Sequence, residues 1–446
     1  MTDLKQYRIN AVSASGLVSE VEAALASGAL APGQPLPSVR RLAVQTGLSP
    51  ATVAAGLAEL RRRGVVVTEP RRGSRIGEIP KIDSSRPSLR CPPGASDLSL
   101  GNPDPRLLPD LASALRSLDT PVRMYGEPAV LPALEDLARE LLARDGMAGE
   151  WLCVTSGALD GIERVLGARL RSGDRVAVEN PGYASLFELL RSRGMILEPV
   201  AVDEFGMRPE ELAKALDRSA KALIITPRGQ NPTGAAMTRE RAGELRAVLD
   251  AHPDALVIED DHLGEVADGP LHSLLSEGSN PKHWAATRSV AKALGPDLRL
   301  AILTGDHETI ARVQSSQAAG PGWVSHILQR LVLALLCEEG VRERVAHARE
   351  TYARRREHLL NCLRERDIQA SGRSGLNVWI PVAEESIVIA AMLSRGWLLA
   401  PGRPYRLADS EPAVRVTIST LTDSQAPRLA LDLAHILSGG PRVRSG

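Results

Sequence analysis

Between residues 97 and 437 the chain alternates short apolar runs with helix-length stretches, and this alternation constrains the fold more than any other feature. Leu152-Cys153-Val154, Val176-Ala177-Val178, Ala222-Leu223-Ile224-Ile225, Leu256-Val257-Ile258 and Ile302-Leu303 are all short and apolar throughout, with helical segments between them. A strand that is apolar on both faces must be covered on both, and a strand-helix-strand chain supplies that cover from its own helices. The pattern predicts an α/β domain around a largely parallel sheet, completed by a long helix near 341–367 and a smaller αβ portion at 375–437. With 446 residues, 43% of them hydrophobic, the chain is long enough for two or more domains and a sizeable core.

Residues 14–77 follow a different pattern. Leu17, Val21 and Leu25 recur at helical spacing before Gly28, Pro32-Gly33 and Pro35 break the chain. A second short helix starts near Pro37-Ser38, carries Val39, Leu42 and Ala43 inward and stops at Gly47. A third has Ser49 as its N-cap and Val53, Leu57 and Leu60 on one face, and ends at Gly64. Val65 to Thr68 and Ser74 to Ile76 flank Glu69-Pro70-Arg71-Arg72-Gly73, the pattern of a two-stranded wing with a basic tip. Three helices and a wing make a winged helix-turn-helix. The expected layout is this module over 1–77, a Pro- and Ser-rich linker over 78–96 that lacks apolar periodicity, and the α/β domain over 97–446.

Charge and cysteine usage narrow the setting. Formal net charge is zero, so a nucleic-acid site must be a local patch, and Arg40, Arg41, Arg61, Arg62, Arg63, Arg71, Arg72 and Arg75 supply one in the first module. The Arg61 to Arg63 triplet alone is also what a solvated helix end carries against its dipole. Cys91, Cys153, Cys337 and Cys362 are far apart, with neither disulfide-framework nor zinc-ligand spacing. No apolar run is long enough to span a bilayer and MTDLKQYRIN lacks a signal core, which points to a soluble, cytoplasmic protein.

The first module resembles a known family. Ser-Gly-Ala-Leu-Ala-Pro-Gly-Gln-Pro-Leu-Pro-Ser-Val-Arg-Arg-Leu-Ala (27–43), then Gly-Leu-Ser-Pro-Ala-Thr-Val (47–53), looks like the GntR-type DNA-binding domain over almost its whole length. The resemblance implies contacts to double-stranded DNA from Ser38 and Arg40 at the second helix, from Thr52 on the recognition helix, and from Arg72 and Gly73 at the wing tip. Pro50 stands where many members carry a basic or polar base-reading residue, a departure that bears on base specificity.

In open α/β sheets, ligands gather at strand C-terminal ends and helix N-termini. The polar residues just after each proposed strand are Ser156-Gly157-Ala158, Tyr183, Asn231-Pro232-Thr233-Gly234, Asp260, and Ser289 with Lys292 and Arg299. Singly, each has an ordinary reading: a helix cap, a plain turn, a structural acid. Lys292, one of only six lysines, lies between apolar runs, where a lysine either reaches out to solvent or loses proton affinity and serves as the amine of a Schiff base.

Taken in order, these residues resemble the site of fold-type I pyridoxal phosphate enzymes of the aminotransferase group. The resemblance implies an imine between Lys292 and pyridoxal 5'-phosphate, Asp260 on the pyridine nitrogen, Asn231 on the ring hydroxyl and Tyr183 stacked on the ring. It places Ser156, Gly157, Ala158, Ser289 and Arg299 around the phosphate, Tyr125 on the phosphate of a neighbouring subunit, hence a homodimer, and Arg415 on a substrate carboxylate. Arg415 also reads as a charged strand residue paired at a sheet edge. His262 replaces a tyrosine that many relatives use on the ring oxygen, and Ser185 stands where one relative has an arginine that reads a small ω-amino acid. A GntR-type head on an aminotransferase-like body is the layout of the MocR group of bacterial transcription regulators. It implies a DNA-binding regulator sensing an amino compound, or the cofactor itself. A working aminotransferase with an accessory DNA-binding head is the alternative.

Overall fold

The computed structural model describes residues 9–62, 65–69, 73–77, 91–276, 281–407 and 410–438. The chain separates into two units. The first takes in the segments Leu170–Arg175 and Glu188–Ile196 besides α1 (Ala14–Ala26), α2 (Val39–Thr46), α3 (Pro50–Arg62), β1 (Val66–Glu69) and β2 (Gly73–Ile76). Its helices start where the caps predict: Ser13 Oγ accepts from Gly16 N–H at 2.9 Å, Ser38 Oγ from Arg41 N–H at 3.3 Å and Ser49 Oγ from Thr52 N–H at 3.1 Å. Gly47 ends α2 with φ +71°, a conformation that favours glycine. Leu17, Val21, Leu42, Val53, Leu57 and Leu60 are buried together, and Val66 and Ile76, register partners in the hairpin, join the same core. Gly56 lets α1 and α3 approach, because a Cβ there would lie 2.8 Å from Leu17 Cδ2 and 3.0 Å from the Ala14 carbonyl.

The second unit opens with β3 (Ser96–Asp97), α4 (Leu111–Arg116) and α5 (Pro132–Arg144). Then follow β4 (Leu152–Thr155), α6 (Ala158–Arg169), β5 (Arg175–Asn180), α7 (Ala184–Ser192), β6 (Ile196–Asp203), β7 (Gly206–Met207), α8 (Pro209–Asp217), β8 (Ala220–Ile225) and α9 (Arg239–Asp250). The large sheet is completed by β9 (Leu256–Asp261), β10 (His283–Ser289), α10 (Ala291–Leu294), β11 (Ala301–Gly305) and α11 (His307–Ala318). The remainder comprises α12 (His326–Cys337), α13 (Glu339–Arg364), β12 (Asn377–Pro381), α14 (Glu385–Ser394), β13 (Trp397–Leu398), β14 (Ala400–Pro401), β15 (Ala413–Thr417) and α15 (Gln425–Ser438).

The large sheet runs β4-β11-β10-β9-β8-β5-β6-β7, with β8, β9 and β10 parallel and β11 antiparallel to both of its neighbours. All five predicted apolar runs are strands in it. The strand before Lys292, β10, is not one of these named runs because its last residues, Thr287-Arg288-Ser289, are polar. The smaller portion is a three-stranded sheet, β12-β15-β14. Ser96 belongs to β3, not to the linker: its N–H donates to the Gly396 carbonyl at 2.8 Å and it pairs with Trp397. Two residues of edge pairing leave no periodic trace in a sequence.

A buried ion network stiffens the sheet beneath the site. Asp261 and Arg288 are register partners on β9 and β10, and Arg288 Nε donates to Asp261 Oδ2 at 3.1 Å. Arg228 grips the same carboxylate with two bonds of 3.0 and 2.8 Å. Burial alone would push the Asp261 carboxyl upward, but the two guanidiniums outweigh it and hold it at about 2. Removing one member of a buried pair leaves uncompensated charge, so Asp261→Asn is expected to cost about 3–5 kcal/mol, read as a lower denaturant midpoint. An unchanged midpoint would show that the network contributes nothing to stability.

Candidate functional site

The backbone of β9 separates its three consecutive acids. Side chains alternate along a strand, so Asp260 faces opposite to Glu259 and Asp261. Glu259 accepts from Ser273 Oγ and from Leu274 N–H, both at 2.6 Å, whereas Asp260 accepts from Thr287 Oγ1, its register partner on β10, at 3.1 Å. Burial raises the Asp260 carboxyl to about 7, so a cationic N–H beside it would be well matched.

Lys292 sits in α10, one short turn beyond β10. The turn is set by Ser289, whose Oγ accepts from Ala291 N–H at 3.2 Å. Burial lowers the Lys292 amine, and Arg415 and Arg299 lower it further, to about 8. Its Nζ donates to the Gly101 carbonyl. His262, the residue after β9, is lowered to about 4 by burial and then by Lys292, so its imidazole is neutral near pH 7.

Gly157, Arg299 and the start of α6 form a cradle. Gly157 has φ +98°, and a Cβ on it would lie 2.7 Å from Arg299 Nη2 and 3.1 Å from Cζ. The space that a side chain would fill is thus taken by a guanidinium, at the N-terminus of a 12-residue helix with Ser156 and Ala158 on either side. Such an end presents N–H groups to an anion. Ser156 N–H itself is engaged by Asp160 Oδ2 at 2.8 Å.

Asn231 is held from two sides. Its Oδ1 accepts from Arg415 Nη1 at 2.9 Å, and Gln230 fixes the turn, its Oε1 accepting from Thr233 N–H at 3.0 Å and Thr233 Oγ1 at 2.6 Å. Gln230 Nε2 donates to the Pro181 carbonyl at 2.9 Å and to buried Glu179 at 3.2 Å, which ties the Asn231 turn to the one leading to Tyr183. Sequence reasoning missed Gln230, Glu179 and Thr287. A signal for the first two was present, since Glu-Asn-Pro at 179–181 and Gln-Asn-Pro at 230–232 share one pattern. Tyr183 is partly buried at the first turn of α7, its carbonyl accepting from Leu186 N–H at 3.0 Å.

Arg415 is only 3% exposed on β15, with Trp379 and Ala400 as register partners. Its Nη2 donates to the Ser99 carbonyl. The structure therefore brings together Gly157, Asn231, His262, Lys292, Arg299 and Arg415, with Asp260 and Ser289 on the strands that end there. It does not bring Tyr125 to them: that side chain is 90% exposed and sits edge-on to Trp323 at 5.7 Å.

In the first unit, Ser38 and Arg40 are exposed at the start of α2, and Thr52 Oγ1 lies 2.8 Å from Ser49 Oγ at the start of α3. Gly73 opens β2 with φ +77°, and Arg72 lies outside the described residues.

The donor set fits a phosphorylated aromatic aldehyde. An arginine and a helix N-terminus suit a phosphate dianion, a buried acid suits a ring N–H, an amide suits a phenolic oxygen, and a lysine of low proton affinity suits a carbonyl carbon. Competitive acylation of the cofactor-free protein across pH is expected to find Lys292 titrating near 8. A midpoint near 10 would show that burial does not govern this amine.

Comparison with known proteins agrees with this geometry. Residues 94–433 match the aminotransferase class I and II family, and residues 14–76 match the gntR family of bacterial regulatory proteins. The vitamin B6 salvage pathway transcriptional repressor PtsJ of Salmonella typhimurium is 37% identical over 436 residues, covering 96% of this chain and all of that protein. The pyridoxine biosynthesis transcriptional regulator PdxR of Corynebacterium glutamicum is 33% identical over 264 residues, 56% of each chain. An archaeal alanine:glyoxylate aminotransferase shares the fold at TM-score 0.69 and 23% identity, over 77% of this chain and 91% of its own. The chain belongs to the aminotransferase class I and II family, and carries at its amino terminus a DNA-binding domain of the gntR family in the MocR-type arrangement.

Proposed function

We propose that this protein is a pyridoxal phosphate-dependent transcription regulator of the cytoplasm. Its head grips double-stranded DNA, and its body senses an amino compound, or the cofactor supply itself, at Lys292. One observation carries the reading: a half-buried lysine held at about 8 stands beside a glycine-arginine anion cradle, in the same chain as a gntR-family head. The names of two relatives point the same way, PtsJ being a repressor of vitamin B6 salvage and PdxR a regulator of pyridoxine biosynthesis.

Bound here, pyridoxal phosphate supplies an aldehyde that captures amines and a ring that withdraws electrons. Each protein group then has one task. Lys292 would hold the aldehyde carbon, Asp260 would keep a proton on the ring nitrogen, and Asn231 and neutral His262 would serve the ring oxygen. Tyr183 covers the ring, and Ser156, Gly157, Ala158, Ser289 and Arg299 hold the phosphate. Arg415 would hold the carboxylate of an amino compound entering the site. Tyr125 completes the phosphate site of a second copy in a homodimer, a reading supported by its 90% exposure close in sequence to exposed Val122 and Met124. In the head, Ser38, Arg40, Thr52, Arg72 and Gly73 contact DNA. An effector can shift the head only by binding two states of the body unequally.

The test is anisotropy binding to DNA from upstream of the protein's own gene. Salt-sensitive, sequence-selective binding is expected, and binding that is indifferent to sequence would overturn the regulator reading. Lys292→Ala is expected to abolish the near-visible absorbance of the loaded protein and leave the fold intact. Arg40→Ala is expected to weaken DNA binding and leave that absorbance unchanged. Loss of both signals in either variant would refute the division of labour between the units.

The aminotransferase alternative draws on Lys292 as well, since an amine near 8 exchanges protons readily at neutral pH. Multiple turnovers between an amino donor and a keto acid would favour it, whereas binding without turnover favours the regulator.

A further inference from the structure

Arg415 is held by more than its strand. The ring of Tyr405 lies beneath its guanidinium, with Cζ 4.9 Å from the ring centroid. Guanidinium N–H groups lie in one plane and point outward from its edges, so an aromatic face against that plane takes none of them. The edges already serve oxygen acceptors, Nη1 the Asn231 amide and Nη2 the Ser99 carbonyl. The ring therefore keeps water off one face and fixes the orientation in which the edges meet an incoming carboxylate.

Tyr405 is itself locked in place. It ends a short 3-10 turn, Arg403–Tyr405, and its N–H donates to the Gly402 carbonyl at 2.9 Å. Gly402 N–H donates to the Ala413 carbonyl at 2.8 Å, and a Cβ at Gly402 would lie 2.4 Å from that oxygen and 2.7 Å from Trp379 Cη2. On its other side the Tyr405 carbonyl accepts from Gly182 N–H at 2.8 Å, and two residues on Leu407 N–H donates to Asn180 Oδ1 at 2.9 Å. The Tyr405 ring also meets Trp379 edge to face, with centroids 6.2 Å apart and planes at 87°. A ring clamped through backbone bonds on both sides is a rigid platform for the cation above it.

We propose that Tyr405 is a positioning residue for effector recognition: acting through Arg415, its aromatic face sets how tightly the body holds amino compounds that carry a carboxylate. The proposal rests on the reading of Arg415 as the carboxylate anchor, and the experiment separates the two. Full-length protein loaded with pyridoxal phosphate is titrated with L-alanine and with isopropylamine, which has a methyl group where alanine has its carboxylate. The readout is the change in cofactor absorbance. Wild type is expected to bind L-alanine more tightly than isopropylamine. Tyr405→Leu keeps apolar bulk but removes the ring face, and is expected to weaken L-alanine by about 2- to 30-fold with isopropylamine unchanged. Tyr405→Phe keeps the face and is expected to stay within about twofold of wild type, a rescue that a merely structural role for the hydroxyl would not allow. A wild type with no preference would overturn the Arg415 reading and the proposal with it. A preference that survives Tyr405→Leu, an equal loss for both amines, or a Phe variant as weak as the Leu variant would overturn the role of Tyr405 and leave Arg415 standing.

Discussion

Three cations, half-buried Lys292, exposed Arg299 and buried Arg415, meet at one end of the sheet, and the rest of the site is arranged around that constraint. Burial first, and then the like charges of Arg415 and Arg299, disfavour the ammonium, and Lys292 is the group that yields, because an ammonium can lose its proton and a guanidinium cannot. The same crowding of cations makes the region attractive to anions. Gly157 marks the place where this is most tightly built, since its missing side chain is what admits the Arg299 guanidinium.

Holding such a region requires stiffness underneath. Asp261, Arg228 and Arg288 bind β9, β10 and the loop after β8 into one network, while Gln230 and Glu179 lock two Asn-Pro turns together. Neither group of residues meets the cofactor in the proposed reading. They determine where Asp260, Asn231 and Tyr183 stand, and positional precision is what a covalent cofactor site needs.

The same residues separate what could be read early from what could not. The helix starts at Ser38 and Ser49 and the apolar strands were visible because caps and continuous apolar runs are local signals. The order of the motifs from Ser156 to Arg299 was visible too, since each follows a strand end. The extent of strand β10 was less visible, because it ends in the polar residues Thr287-Arg288-Ser289 and lacks a continuous apolar run. Ser96 reads as linker in the sequence because its pairing at a strand edge depends on Trp397, about three hundred residues away.

The sequence by itself determined the two-part plan, the winged helix-turn-helix, the α/β body and the position of Lys292 after a strand, since these depend on residue type and short-range spacing. Only the tertiary structure decided which polar groups converge. Arg415 meets Asn231, Ser99 and Tyr405 because strand register and turn geometry carry four distant segments to one point. Periodicity reports the burial of each residue along its own element and contains no information about which element lies opposite. The depressed amine of Lys292 belongs to the same category, because a proton affinity is set by neighbours in space.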